Sequence, residues 1–173
     1  MVVSDESGSD SHTLSTVRTA IEFLGHEYEE EWFGDFRDPL DPLHPDDDLQ
    51  IDPESTRVLG EWFGFAWLLL GELRKHGADD DDITQVQIWP EHFDAAIEMG
   101  SLEAGRRASY GASPGDEAHP KPYVYVSSWG KIDRSNPYWN DHAFNGSSMS
   151  YEELRSEEHT SELQSQFRIS YAV

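Results

Sequence analysis

Apolar residues recur at helical spacing first at Val17, Ala20, Ile21 and Leu24, which predicts a helix over about 14–25 with Thr13 or Ser15 as cap and Gly25 as stop. The Asp38-Pro39, Asp41-Pro42 and His44-Pro45 pairs then predict a long loop, because proline removes a donor and restricts its predecessor. A second helix is predicted from Pro53, behind a capping Asp52, to Gly77. Val58, Leu59, Trp62, Phe63, Ala66, Trp67, Leu70 and Leu73 give it an apolar face, which Phe65, Leu68 and Leu69 widen. Such a girth predicts burial on most sides, at about 2 kcal/mol for each large side chain covered. Gly60, Gly64 and Gly71, poor helix formers, point to close packing there.

Beyond Gly77 the period changes. Thr84–Trp89 alternates as a strand, Val86 and Ile88 on one face and Gln85, Gln87 and Trp89 on the other. Pro90 opens a predicted short helix to about residue 99, with Phe93, Ala96 and Ile97 as its apolar stripe. Arg107–Ala112 reads as a strand ending in a Ser113-Pro114-Gly115-Asp116 turn. Pro122–Ser128 reads as another, with Val124 and Val126 inward and Tyr123 and Tyr125 opposite. Tyr138–Phe144 is expected as a further edge segment, and Ser150 with Glu153 as a capping box before a final helix. Alternating strands separated by turns, without crossover helices, predict an α+β fold: an antiparallel sheet packed by helices. Residues 1–13, rich in Ser, Asp and Gly, are expected to be disordered, and 14–154 to form one α+β domain.

Composition narrows the setting. Cysteine is absent, which excludes disulfides, thiolate metal sites and a cysteine nucleophile. Met1–Thr13 lacks the cationic and apolar regions of a secretory signal, and the longest apolar run, Trp62–Gly71, is about half a membrane span. The formal charge is -23, and lysine occurs only at 75, 121 and 131. That field repels phosphates and anionic lipids, so neither nucleic acid nor membrane is expected as a partner. Acid is spread along the chain rather than gathered in one tail, and with so little lysine it points to a halophilic source; the missing signal and span lead to the expectation of a cytoplasmic protein.

Two resemblances bear on the ends and on the family. Arg155–Ser165 resembles one reading frame of a common short-read sequencing adapter. Gln166-Phe167-Arg168 falls where a sample barcode would sit, and Ile169–Val173 resembles the constant segment beyond it. Residues 155–173 are therefore expected to be an adapter-derived tail outside the fold. Upstream, Trp89-Pro90-Glu91-His92-Phe93-Asp94, Gly111–Asp116, Pro122-Tyr123-x-Tyr125-Val126 and Tyr138-Trp139 resemble a family of uncharacterised prokaryotic proteins, a domain of unknown function with W-P-x-H-F-D, G-x-S-P-G-D and P-Y-x-Y-V motifs. The match covers roughly 50–154. It implies a domain truncated at both ends, and it carries no activity.

Chemistry concentrates at His92, Asp94, Asp116 and His119. On the predicted helix His92 and Asp94 lie about 200° apart, so Asp94 reads as a solvent-facing acid. His92, following a strand, reads either as a functional base or as a locally bonded imidazole. Asp116 either faces a ligand or closes a tight turn. The eight histidines lack paired ligand spacing, so no metal is expected. No phosphate loop is present, because Gly111-x-x-x-Gly115 lacks its lysine. Pro114 removes the donor that a nucleophile elbow at Ser113 needs. No cofactor is expected.

The strand faces offer more. Gln87, Tyr123, Tyr125 and Trp139 are expected to line an aromatic and amide surface with His92 at its rim, suited to a polar or aromatic small molecule. One alternative is a hydrolase or isomerase with His92 as base and Asp116 orienting it, which requires the two within hydrogen-bond reach. Another is a structural domain without ligand, its tyrosines packed and no pocket beside them.

Overall fold

The computed structural model describes residues 2–5, 8–29, 44–78 and 81–155. The chain divides into two compact units, Met1–Thr56 and Arg57–Val173, so the 14–154 stretch read as one domain is split inside a helix. The Asp38–Pro42 part of the proline loop and residues 156–173 of the adapter-like tail lie outside the described residues.

In the first unit, β1 (Val2–Asp5) pairs antiparallel with β2 (Gly8–Ser11), from Val2 opposite Ser11 to Asp5 opposite Gly8. A hairpin thus stands where disorder was expected, and β2 is exposed throughout. A two-stranded ribbon of this kind is marginal in water. Helix α1 (Val17–Phe23) is capped by Thr16 rather than by Thr13 or Ser15. The Thr16 hydroxyl accepts from Thr19 N–H at 3.1 Å, and the Thr19 hydroxyl accepts from Thr16 N–H at 3.1 Å. Gly25 ends the helix, its N–H donating to the Glu22 carbonyl at 2.9 Å. Arg18 grips Asp46 through two hydrogen bonds of 2.6 and 3.0 Å.

Helix α2 (Pro53–Arg74) begins as the sequence indicates: an Asp52 carboxylate oxygen accepts from Ser55 N–H at 2.8 Å. Its burial is a stripe rather than a girth. Trp62, Ala66, Leu70 and Leu73 are buried at helical spacing, whereas Val58 and Trp67 are exposed and Leu68 is 77% exposed. A Cβ on Gly60, Gly64 or Gly71 would have open space within 4 Å, so these glycines do not mark close packing.

The stripe covers one face of a five-stranded antiparallel sheet. The strands are β3 (Gln87–Trp89), β4 (Asp94–Met99), β5 (Ala108–Ser113), β6 (Tyr123–Ser128) and β7 (Gly146–Ser150), and they pair in sequence order. The fold is α+β. Ile97, Met99, Tyr110, Ala112, Val124 and Val126 join the helix stripe in one hydrophobic core. After β7, α3 (Tyr151–Leu154) starts with the expected Ser150–Glu153 capping box.

Three elements differ from the sequence reading. Residues 94–99 form a central strand instead of a helix: Phe93 N–H donates to the Trp89 carbonyl at 2.8 Å and closes a hairpin in which Trp89 pairs with Asp94. Ala95, Ala96, Ile97 and Met99 are buried on alternate faces, so tertiary burial overrides the helix propensity of Ala, Glu and Met. The edge strand is Gly146–Ser150, while 138–144 is a turn held by Asn and Asp side chains, as in Tyr138 N–H to Asn136 and Ala143 N–H to Asp141. Strand β3 starts at Gln87, two residues after Gln85, and its Ile88 is exposed at the edge. Among the described residues no helix is long and apolar enough to cross a membrane.

Candidate functional site

The sheet face opposite α2 is concave. Paired residues share a face, so Asp94 with Trp89, Ala96 with Gly111 and Tyr125, and Ser113 with Tyr123 lie together on it. The Pro114–Pro122 connection and the Ala143-Phe144 segment supply further wall to a cleft of about 690 Å³. One feature of the floor is steric. A Cβ on Gly111 would stand 2.5 Å from the Tyr125 hydroxyl oxygen, so only glycine lets that ring lie across the neighbouring strand.

One end of the cleft is a polar network in which both acids, Asp116 and Asp141, are hydrogen-bonded and, among the described residues, His119 Nδ1 alone lacks a hydrogen-bond partner. Asp116 accepts from Tyr123 O–H at 2.6 Å and from His119 N–H at 2.7 Å. The His119 ring stacks at 4.5 Å on Tyr123, and its Nε2 lies 2.8 Å from buried Asp141. Asp141 in turn accepts from Ala143 N–H at 2.8 Å and from the Ser148 hydroxyl. Burial works against ionisation of Asp116, but the Tyr123 and His119 hydrogen bonds outweigh it and hold the carboxyl below its ordinary range. The same balance lowers Asp141, through Ser148 and Ala143. Burial and the Asp116 bond raise Tyr123. Gly115, at φ +124°, turns the chain between Ser113 and Asp116, as the tight-turn reading requires.

The other end differs. Asp94 is 2% exposed, and its Oδ2 accepts from Tyr125 O–H, but no protein donor reaches its Oδ1. Burial raises the Asp94 carboxyl above its ordinary range, against the Tyr125 hydrogen bond and the nearby charge of His92. Burial, then the Asp94 charge, raises Tyr125. Trp89 and Phe144 flank this end, the Phe144 ring meeting Tyr125 edge-on at 5.7 Å. Glu98, also on this face, is paired with buried Arg107 at 2.8 Å.

Of the residues expected at a site, His92, Asp116, Tyr123 and Tyr125 line the cleft. Gln87 is exposed on β3 and does not line it. Trp139 packs against the hydrophobic core and edge-on to Tyr138 at 4.7 Å, and Tyr110 is in that core. Asp116 is bonded to Tyr123 and His119, and among the described residues no hydrogen bond joins it to His92. The sequence reading missed Asp94, which it placed on the solvent face of a helix, and Asp141. The Trp89–Asp94 interval, with a proline and one hairpin loop's length, is the signal that would have restored Asp94 to a strand. Among the described residues no three His, Asp or Glu side chains converge as a metal site. No protein family, curated protein or solved structure matches the chain.

A raised carboxyl makes a signed expectation. A folded-state pKa above the unfolded one means that stability is highest below the unfolded pKa, about 4, and falls as pH rises through the folded value. Asp94→Asn keeps an acceptor for Tyr125 and removes the buried charge. It is expected to stabilise the protein at pH 7 relative to the parent, with the gain fading as pH falls toward the unfolded carboxyl value of about 4. Urea unfolding of both proteins at the two pH values measures it. Equal stability at pH 7 would mean that Asp94 carries no buried charge there.

Proposed function

We propose that the protein is a small-molecule-binding domain whose ligand, polar or aromatic, lies in the cleft opposite α2. The observation that carries this reading is the Asp94 end of the cleft, where a buried carboxylate lacks a donor beside Tyr125, Trp89 and Phe144. A buried polar atom left unsatisfied lowers stability, as functional sites commonly do. The cleft volume also falls in the range of about 300–1,000 Å³ typical of such sites. A purely structural sheet would fill this face with packed side chains instead. The charge of -23 favours a salt-adapted, cytoplasmic setting and disfavours nucleic acid as the ligand.

The test is a thermal-shift screen of aromatic amines, alcohols and carboxylates on the full chain and on Tyr125→Ala. A ligand at about 100 times its Kd adds about 2.7 kcal/mol and so raises Tm by several degrees. At least one chemical class is expected to do this, and Tyr125→Ala to abolish the shift. A screen in which no class moves Tm, or in which the shift survives Tyr125→Ala, removes the cleft as the site.

A further inference from the structure

We propose that the cleft selects an organic ammonium, a cationic nitrogen on an aromatic or apolar body, and that Asp94 is the residue that anchors it. The inference rests on the binding reading above and names the class of ligand.

The two carboxylates, buried Asp94 and exposed Asp116, are not equivalent. Asp116 has its hydrogen bonds from within the protein, from Tyr123 O–H at 2.6 Å and His119 N–H at 2.7 Å. Asp94 has Tyr125 on one oxygen and nothing on the other, although the residue is buried and lines the cleft. A buried carboxylate oxygen calls for an N–H donor, and a charged donor forms the shorter and stronger bond.

The surrounding field points the same way. Glu91 and Glu117 line the cleft, while among the described residues no lysine or arginine does. Arg107 is shared between Glu98 and Asp82, and the lining itself holds the imidazoles of His92 and His119. A carboxylate or phosphate ligand would meet this acid without a fixed cation to receive it. Trp89 and Phe144 supply ring faces, which attract ammonium groups as well as apolar carbon. A bare metal ion fits less well, because no three His, Asp or Glu side chains converge among the described residues. The cation therefore brings its own body to fill the space.

Isothermal titration of the full chain at low salt and neutral pH, with phenethylamine, 2-phenylethanol and 3-phenylpropanoate as probes, tests this. The amine is expected to bind about tenfold or more tightly than the alcohol, and the carboxylate not to bind. Asp94→Asn is expected to remove that advantage, so that the amine and the alcohol bind alike. The probe series on the unaltered chain does not depend on any variant folding. Amine and alcohol binding equally, or an amine advantage that survives in Asp94→Asn, overturns the ammonium inference. If the alcohol or the carboxylate binds in a Tyr125-dependent manner without an amine advantage, the cleft remains a binding site and only the cation selectivity falls. If none of the three probes binds, the ammonium inference falls, and the wider screen above decides the cleft.

Discussion

Met99→Ala is expected to lower stability by about 2–5 kcal/mol, whereas Phe93→Ala lowers it by less than about 1 kcal/mol. The contrast follows from β4. As a strand it sends Ala95, Ile97 and Met99 into the core beneath α2, and Met99 is 1% exposed there. Truncating that side chain opens a cavity beside Gly77 that a close-packed interior fills only in part. Phe93, in the hairpin turn, is 50% exposed and meets Phe63 edge-on at 5.3 Å. A helix over 90–99 would reverse the order, since Phe93 would then belong to the apolar stripe. Denaturant unfolding of the two variants decides between them: a larger loss for Phe93→Ala would contradict the strand, and with it the position of Asp94.

Gly111→Val is expected to be the most damaging change on the cleft face. Its new Cβ would lie 2.5 Å from the Tyr125 hydroxyl oxygen, closer than packed atoms allow, and its γ carbons reach further into the ring. The ring must leave the floor, and Asp94 then loses the Tyr125 donor as well. Overpacking of about 1–3 kcal/mol is joined by about 1–3 kcal/mol for the orphaned acceptor. Ligand binding is expected to disappear with it. Gly60→Ala is the matched control, because its Cβ would meet open space within helix α2, and it is expected to gain about 0.5–1 kcal/mol. Unfolding curves and a ligand titration on both variants check this. A Gly111→Val protein as stable as the parent, with binding intact, would mean that Tyr125 does not lie over that glycine.

How much of this was legible in the sequence depended on how many signals agreed at each element. Helix α2 was readable at its start because Asp52 and Pro53 act locally, through one carboxylate and one fixed φ. Strand β6 was readable because Val124 and Val126 alternate with Tyr123 and Tyr125, and the two faces meet different surroundings. Strand β4 was not, because a central strand covered on both faces loses its alternation, and Asp-Ala-Ala-Ile-Glu-Met then looks like a helix. Strand β7, Gly-Ser-Ser-Met-Ser, carries almost no periodic signal and is fixed by pairing with β6. The candidate site inherited these gains and losses. Tyr123 and Tyr125 were found with their strand, Asp94 was lost with its own, and Trp139 was placed by proximity in sequence to a face it does not share. The Asp116, His119 and Asp141 network joins separate loops, a relation that no local pattern records.

The most direct measurement is an amide NMR titration of the full chain with phenethylamine. Shifts are expected to concentrate at Trp89, Asp94, Gly111 and Tyr125, on the face opposite α2, and to saturate together. Saturable shifts that fall instead on the exposed side of α2, around Trp67 and Leu68, or a spectrum that does not change at all, would contradict the assignment of the cleft as the ligand site.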